Sequence, residues 1–88
     1  MSNKALTAGA EHISQQLIHH LNKNNIPFEH VSWTNGKHHY VLTVKTPFGT
    51  RFARFAPINL LEQQDPMTQH VNSFVINELI NKLKNLKG

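Results

Sequence analysis

The groups in this sequence best suited to chemistry stand in one run, Trp33-Thr34-Asn35-Gly36-Lys37-His38-His39-Tyr40. A lysine supplies a phosphate contact, and an imidazole donates to phosphate or serves as a general acid or base near neutral pH. A histidine at the head of a strand could take the 2′-hydroxyl proton of a ribose, the step required of a ribonuclease that works without metal. Lys45, Arg51 and Arg54 follow downstream. Together with Lys37, His39 and Tyr40 they form a candidate nucleic-acid surface, with His38 as the candidate catalytic group. The competing reading is a solvated sheet face dressed in β-formers and charges, which any soluble meander needs.

Other chemistries find less support. The chain has seven histidines and no cysteine, so thiolate zinc sites and disulfides are excluded. Two imidazoles share one side at i, i+4 on a helix or i, i+2 on a strand, and no histidine here has either spacing. His19-His20 and His38-His39 are adjacent pairs that diverge, so no metal site is expected. The acids Glu11, Glu29, Glu62, Asp65 and Glu78 are scattered, which argues against a catalytic carboxylate pair, and Glu78 reads as an i, i+4 partner of Lys82. No nucleophile elbow, phosphate-cradling glycine loop or dinucleotide fingerprint is present, and no cofactor is expected.

The elements that must position the run can be read from periodicity and turn chemistry. Leu6, Ala10, Ile13, Leu17 and Leu21 recur at helical steps, with Gly9 weakening the first turns. That helix ends in Asn22-Lys23-Asn24-Asn25, where asparagine tolerates the left-handed conformation of a helix stop, and Pro27 forbids continuation. Phe28 to Trp33 reads as a strand. Asn35-Gly36 is a strong signal for a type I′ hairpin turn, which would deliver Lys37, His38 and His39 onto the opening of the next strand.

Tyr40, Leu42 and Val44 alternate with His39, Val41, Thr43 and Lys45 in the period of a half-buried strand. Thr46-Pro47-Phe48-Gly49 makes a second turn into the strand Thr50 to Ala56, where Arg51, Ala53 and Phe55 compete with Phe52, Arg54 and Ala56 for the buried face. Ile58 to Gln64 is a connector with one helical turn near Asn59 to Glu62. Asp65-Pro66 then opens a last helix with a cap and an N1 proline. Val71, Phe74, Val75, Leu79, Leu83 and Leu86 form its expected apolar stripe, and Leu17, Leu21, Leu42, Phe74, Leu79 and Leu83 are expected to meet in one core.

The fold class that follows is α+β: a two-layer α-β-β-β-α sandwich, with a three-stranded antiparallel meander and both helices on one face. Eighty-eight residues make one domain, residues 1–88, with residues 1–4 frayed. Hydrophobic residues at 39% and charged residues at 16% suit a small soluble domain. The opening residues lack a signal-peptide core and no apolar run reaches spanning length, so the expected location is cytoplasmic, with no membrane partner. Nine basic against five acidic residues give a formal charge of +4, which favours anionic partners.

Gly36-Lys37-His38-His39-Tyr40, set in the order helix, asparagine break, strand, hairpin, strand, strand, helix, resembles the HicA-type mRNA interferase toxins. Their fold is like that of double-stranded-RNA-binding domains. The resemblance covers the layout of residues 13–86 and implies a catalytic role for His38. Lys37 stands where that family has a small hydroxyl residue, and Ala56-Pro57-Ile58 lacks the histidine of its Pro-x-His segment. The favoured reading is a small domain that binds nucleic acid, RNA ahead of DNA, through a basic hairpin and strand surface. The alternatives are a HicA-like ribonuclease toxin, or a small protein-binding inhibitor or adaptor of the kind mobile elements carry.

Overall fold

The computed structural model describes residues 4–87 and has the expected α+β architecture. Its elements are α1 (Lys4–Lys23), β1 (His30–Asn35), β2 (Tyr40–Thr46), β3 (Gly49–Phe55), a short α2 (Pro57–Leu61) and α3 (Pro66–Lys87). The strands form a 3-stranded antiparallel sheet in the order β1-β2-β3. Residues 1–3 of the frayed start expected at 1–4 lie outside the described residues, and Lys4 already belongs to α1.

α1 buries Ala10, Ile13, Leu17 and Leu21, the stripe its periodicity dictates. α1 runs through Gly9 from Lys4, and α2 approaches closely there: a Cβ built on Gly9 would lie 2.0 Å from the Leu60 carbonyl oxygen. The helix ends in a Schellman arrangement: Asn25 takes φ 55°, its N–H donates to the Asn22 carbonyl at 3.1 Å, and the Ile26 N–H donates to Leu21 at 2.9 Å. Ile26 and Leu21 are both in the core, giving the apolar contact that accompanies such a stop.

The tight turn at Pro47-Phe48 pairs Thr46 with Gly49, and that register settles β3. Val44 then faces Arg51, Leu42 faces Ala53 and Tyr40 faces Phe55. Phe55 is buried with Leu42 and Val44, so Arg51, Ala53 and Phe55 share the helix-covered side. Phe52 and Arg54 point the other way. Trp33, paired with Leu42, also faces the helices, where its Nε1–H donates to Ser14 Oγ of α1 at 2.7 Å and its ring meets Phe55 at 5.6 Å.

α3 starts as expected, with Asp65 Oδ1 accepting the Met67 N–H at 3.2 Å and Pro66 at the first helical position. Its buried face is rotated from the expected stripe. Thr68, Asn72, Ile76, Leu79, Ile80 and Leu83 are buried, whereas Val71 is exposed and Phe74 is 61% exposed, so Phe74 is not a core residue. The cause is polar. The Asn72 side-chain amide donates to the Asn59 carbonyl at 3.0 Å, and the Asn59 amide donates to Asn72 Oδ1 at 3.1 Å. This exchange ties α2 to α3 and turns an asparagine inward where an apolar pattern would place a hydrocarbon.

Ile13, Leu17, Leu21, Ile26, Leu42, Val44, Phe55, Leu60, Ile76, Leu79, Ile80 and Leu83 form one buried cluster between sheet and helices.

Candidate nucleic-acid interface

Opposed residues of an antiparallel pair share a face, so the register defines what the uncovered side of the sheet displays. One row is Thr34, Val41 and Arg54; the next is Ser32, Thr43 and Phe52; the last is His30, Lys45 and Thr50. The Arg54 guanidinium lies over the Phe52 ring at 5.4 Å from its centroid, with Phe52 still 48% exposed. Lys45 sits about 13 Å from the Arg54 row, at roughly 3.3 Å per strand residue. Its ammonium is 4.0 Å from Glu29, with both side chains more than half exposed, a geometry that contributes little and leaves the charge open to solvent.

The hairpin loop differs from the type I′ expectation. β1 runs to Asn35 and β2 begins at Tyr40, so Gly36–His39 is all loop, closed by the Gly36 N–H donating to the His39 carbonyl at 2.7 Å. Neither Asn35 nor Gly36 has a positive φ. Glycine is needed here for room: a Cβ would lie 2.7 Å from that same carbonyl oxygen and 3.0 Å from His39 Nε2. Lys37 and His38 are therefore exposed on the loop and His39 is half-buried against Gly36, rather than all three lying on the strand. His38 has no hydrogen-bond partner among the described residues, so nothing fixes its tautomer or aims its ring.

The structure gathers some of the sequence candidates and separates others. Lys37, His38 and His39 lie at the Arg54 end of the sheet, and Lys45 shares its outer face. Tyr40 packs toward the core beside Phe55. Arg51 lies on the helix side, with its Nη1–H donating to the Thr50 carbonyl at 2.9 Å. The Glu78–Lys82 pair does not form among the described residues, and both side chains are exposed.

Phe52 is the component that the sequence reading missed. The spacing of Thr46 and Gly49 around the tight turn would have placed it outward beside Arg54. Also unanticipated is a groove between α1 and α3 lined by His12, Gln16, His19, His20 and Ser73, with His12 and Gln16 in hydrogen-bond contact at 3.3 Å. Among the described residues no three His, Cys, Asp or Glu side chains are arranged to hold a metal ion. No helix there is long and apolar enough to cross a membrane. Comparison with known protein families, curated proteins and solved structures gives no match for the chain.

Proposed function

We propose that the protein binds RNA, with the strand laid across the open sheet face and the adjoining Gly36–His39 loop. The observation that carries this reading is the composition of that face. Its formally charged members are Lys45 and Arg54, no acid stands in any of its rows, and Lys37 extends the positive charge at one end. Cations of this kind neutralise phosphates and release their counterions. Ser32, Thr34, Thr43 and Thr50 add hydroxyls that donate to or accept from ribose 2′-OH groups, the feature that separates RNA from DNA. Phe52, with one side taken by Arg54, offers ring surface to a base, and such stacking contributes about 1–3 kcal/mol per base.

Binding, rather than cleavage, is the activity proposed. The nuclease reading rests on His38, and no described side chain orients that imidazole.

The test is a salt titration of RNA affinity. Lys45→Ala and Arg54→Ala should each flatten the slope of log K against log[salt] by about one unit. Arg51→Ala, on the opposite side, should leave the slope unchanged. Absence of RNA binding by the folded protein at low salt would overturn the proposal, as would an Arg51→Ala effect equal to that of Arg54→Ala.

A further inference from the structure

Two exposed aromatic rings, Phe52 of β3 and Phe74 of α3, border one cleft between strand and helix. The cleft holds about 300 Å³, the small end of the range for ligand sites. Half-buried Val75 and buried Leu79 close it toward the core. It is not purely apolar. Arg54 stands on the strand side, while Glu78 and Lys82 follow Phe74 at four-residue steps along one face of α3. Glu78 has neither a hydrogen bond nor an ion pair among the described residues.

We infer that this cleft takes one unstacked guanine of a single-stranded RNA, which rests on the RNA-binding reading of the adjoining sheet face. Two rings bordering one small cleft suit a flat heterocycle, and stacking on aromatic side chains is how splayed bases are commonly held. The charges fix how the strand lies. Arg54 belongs both to the outer sheet face and to the cleft, so RNA crossing that face arrives there on a cation. Lys82 supplies another from the helix, and the phosphates on either side of the inserted base have one cation each. The carboxylate between them repels a phosphate and any acidic segment. A wholly apolar occupant would instead leave Glu78 desolvated and unpaired, which is costly.

Glu78 also selects the base. An ionised carboxylate only accepts, and its two oxygens take two parallel N–H groups. Guanine presents such a pair, N1–H and N2–H, side by side on its Watson–Crick edge. Adenine and cytosine offer one amino group beside a ring-nitrogen acceptor, and uracil one N–H between two carbonyls. Each of those edges sets an acceptor against the carboxylate. A duplex uses the same edge for pairing and keeps the base stacked, so the cleft requires a single strand.

Fluorescence anisotropy at low salt with short oligouridines, their central base varied, reads the preference. The strand with a central guanine should bind about tenfold tighter than those with adenine, cytosine or uracil, the discrimination of one bidentate pair. Hypoxanthine, which lacks the 2-amino group, should lose most of that gain. Glu78→Gln should bring guanine close to hypoxanthine without weakening the all-uridine strand. Phe74→Leu should weaken the guanine strand about fivefold with the circular dichroism spectrum unchanged, whereas Met67→Ala, exposed at the start of α3 outside the cleft, should do nothing. Equal affinity for all five strands would overturn the inference and leave RNA binding standing. So would a guanine preference that survives Glu78→Gln, or equal affinity for the same guanine in a blunt duplex. Failure of every strand to bind would overturn it together with the RNA reading.

Discussion

Replacing Gly9 by alanine opposes two effects of different sign, and the structure decides between them. Gly9 lies inside α1, where alanine is favoured over glycine by about 1 kcal/mol of intrinsic helix propensity. Considered as an isolated helix, Gly9→Ala stabilises. In the folded chain the added Cβ would sit 2.0 Å from the Leu60 carbonyl oxygen, 2.7 Å from its carbonyl carbon and 2.9 Å from its Cα. These are backbone atoms of α2, and no rotamer change relieves the overlap. α2 would have to move away, loosening the buried Leu60 and the Asn59–Asn72 exchange that anchors it.

Overpacking in a close-packed interior costs about 1–3 kcal/mol, and a collision with main chain belongs at the upper end. After the propensity gain, the net loss is about 2 kcal/mol, which lowers the melting temperature of a domain this size by roughly 8–16 °C. Thermal unfolding followed by circular dichroism measures it. A melting temperature equal to or above that of the wild type would refute the close approach of α1 and α2.

Other substitutions test other contacts. A double-mutant cycle of Trp33→Phe and Ser14→Ala should give a coupling of about 0.5–1.5 kcal/mol in urea unfolding, the net contribution of one hydrogen bond. Leu42→Ala, on the central strand at 0% exposure, should cost about 2–5 kcal/mol, read as a lower denaturation midpoint. Asn72→Leu should destabilise despite its added apolar surface, because it strands the Asn59 side-chain amide and forces a branched chain into a polar seam; a rise in melting temperature would refute that. Phe74→Ser should leave stability within about 0.5 kcal/mol, the range of ordinary surface changes.

The element order was legible because each boundary carries its own signal: αL-tolerant Asn25, Asp65 before Pro66, and Pro47 in a tight turn. Faces were harder. β2 was readable since Leu42 and Val44 alternate cleanly with Thr43 and Lys45. β3 carries large apolar groups on both sides, Phe52 outward and Phe55 inward, so only its register with β2 separates them. α3 offers two overlapping apolar stripes, one through Phe74 and one through Ile76 and Ile80, and the buried Asn72 at the head of the second hides that it is the one facing the core. Asn35-Gly36 was misread because glycine serves two needs, positive φ and the lack of a Cβ, and composition does not tell them apart. The candidate site was accordingly legible as a list of cations but not as a surface, since Arg51 and Arg54 differ by odd spacing on one strand.

The two hairpin connections divide their duties unequally. The Pro47-Phe48 turn is too short to change length without shifting Gly49–Phe55 by a residue and exchanging the faces of the strand. The Gly36–His39 loop fixes nothing comparable, because β1 is held in place by Trp33 on Ser14 and by its own ladder to β2. Lengthening a flexible loop costs only about 0.6 kcal/mol per doubling. Residues inserted beside His38 would therefore change what the loop contacts while the scaffold beneath stays as it is. The chain thus carries Lys37 and His38 on the hairpin connection whose length can change, and the register of β3 on the one whose length cannot.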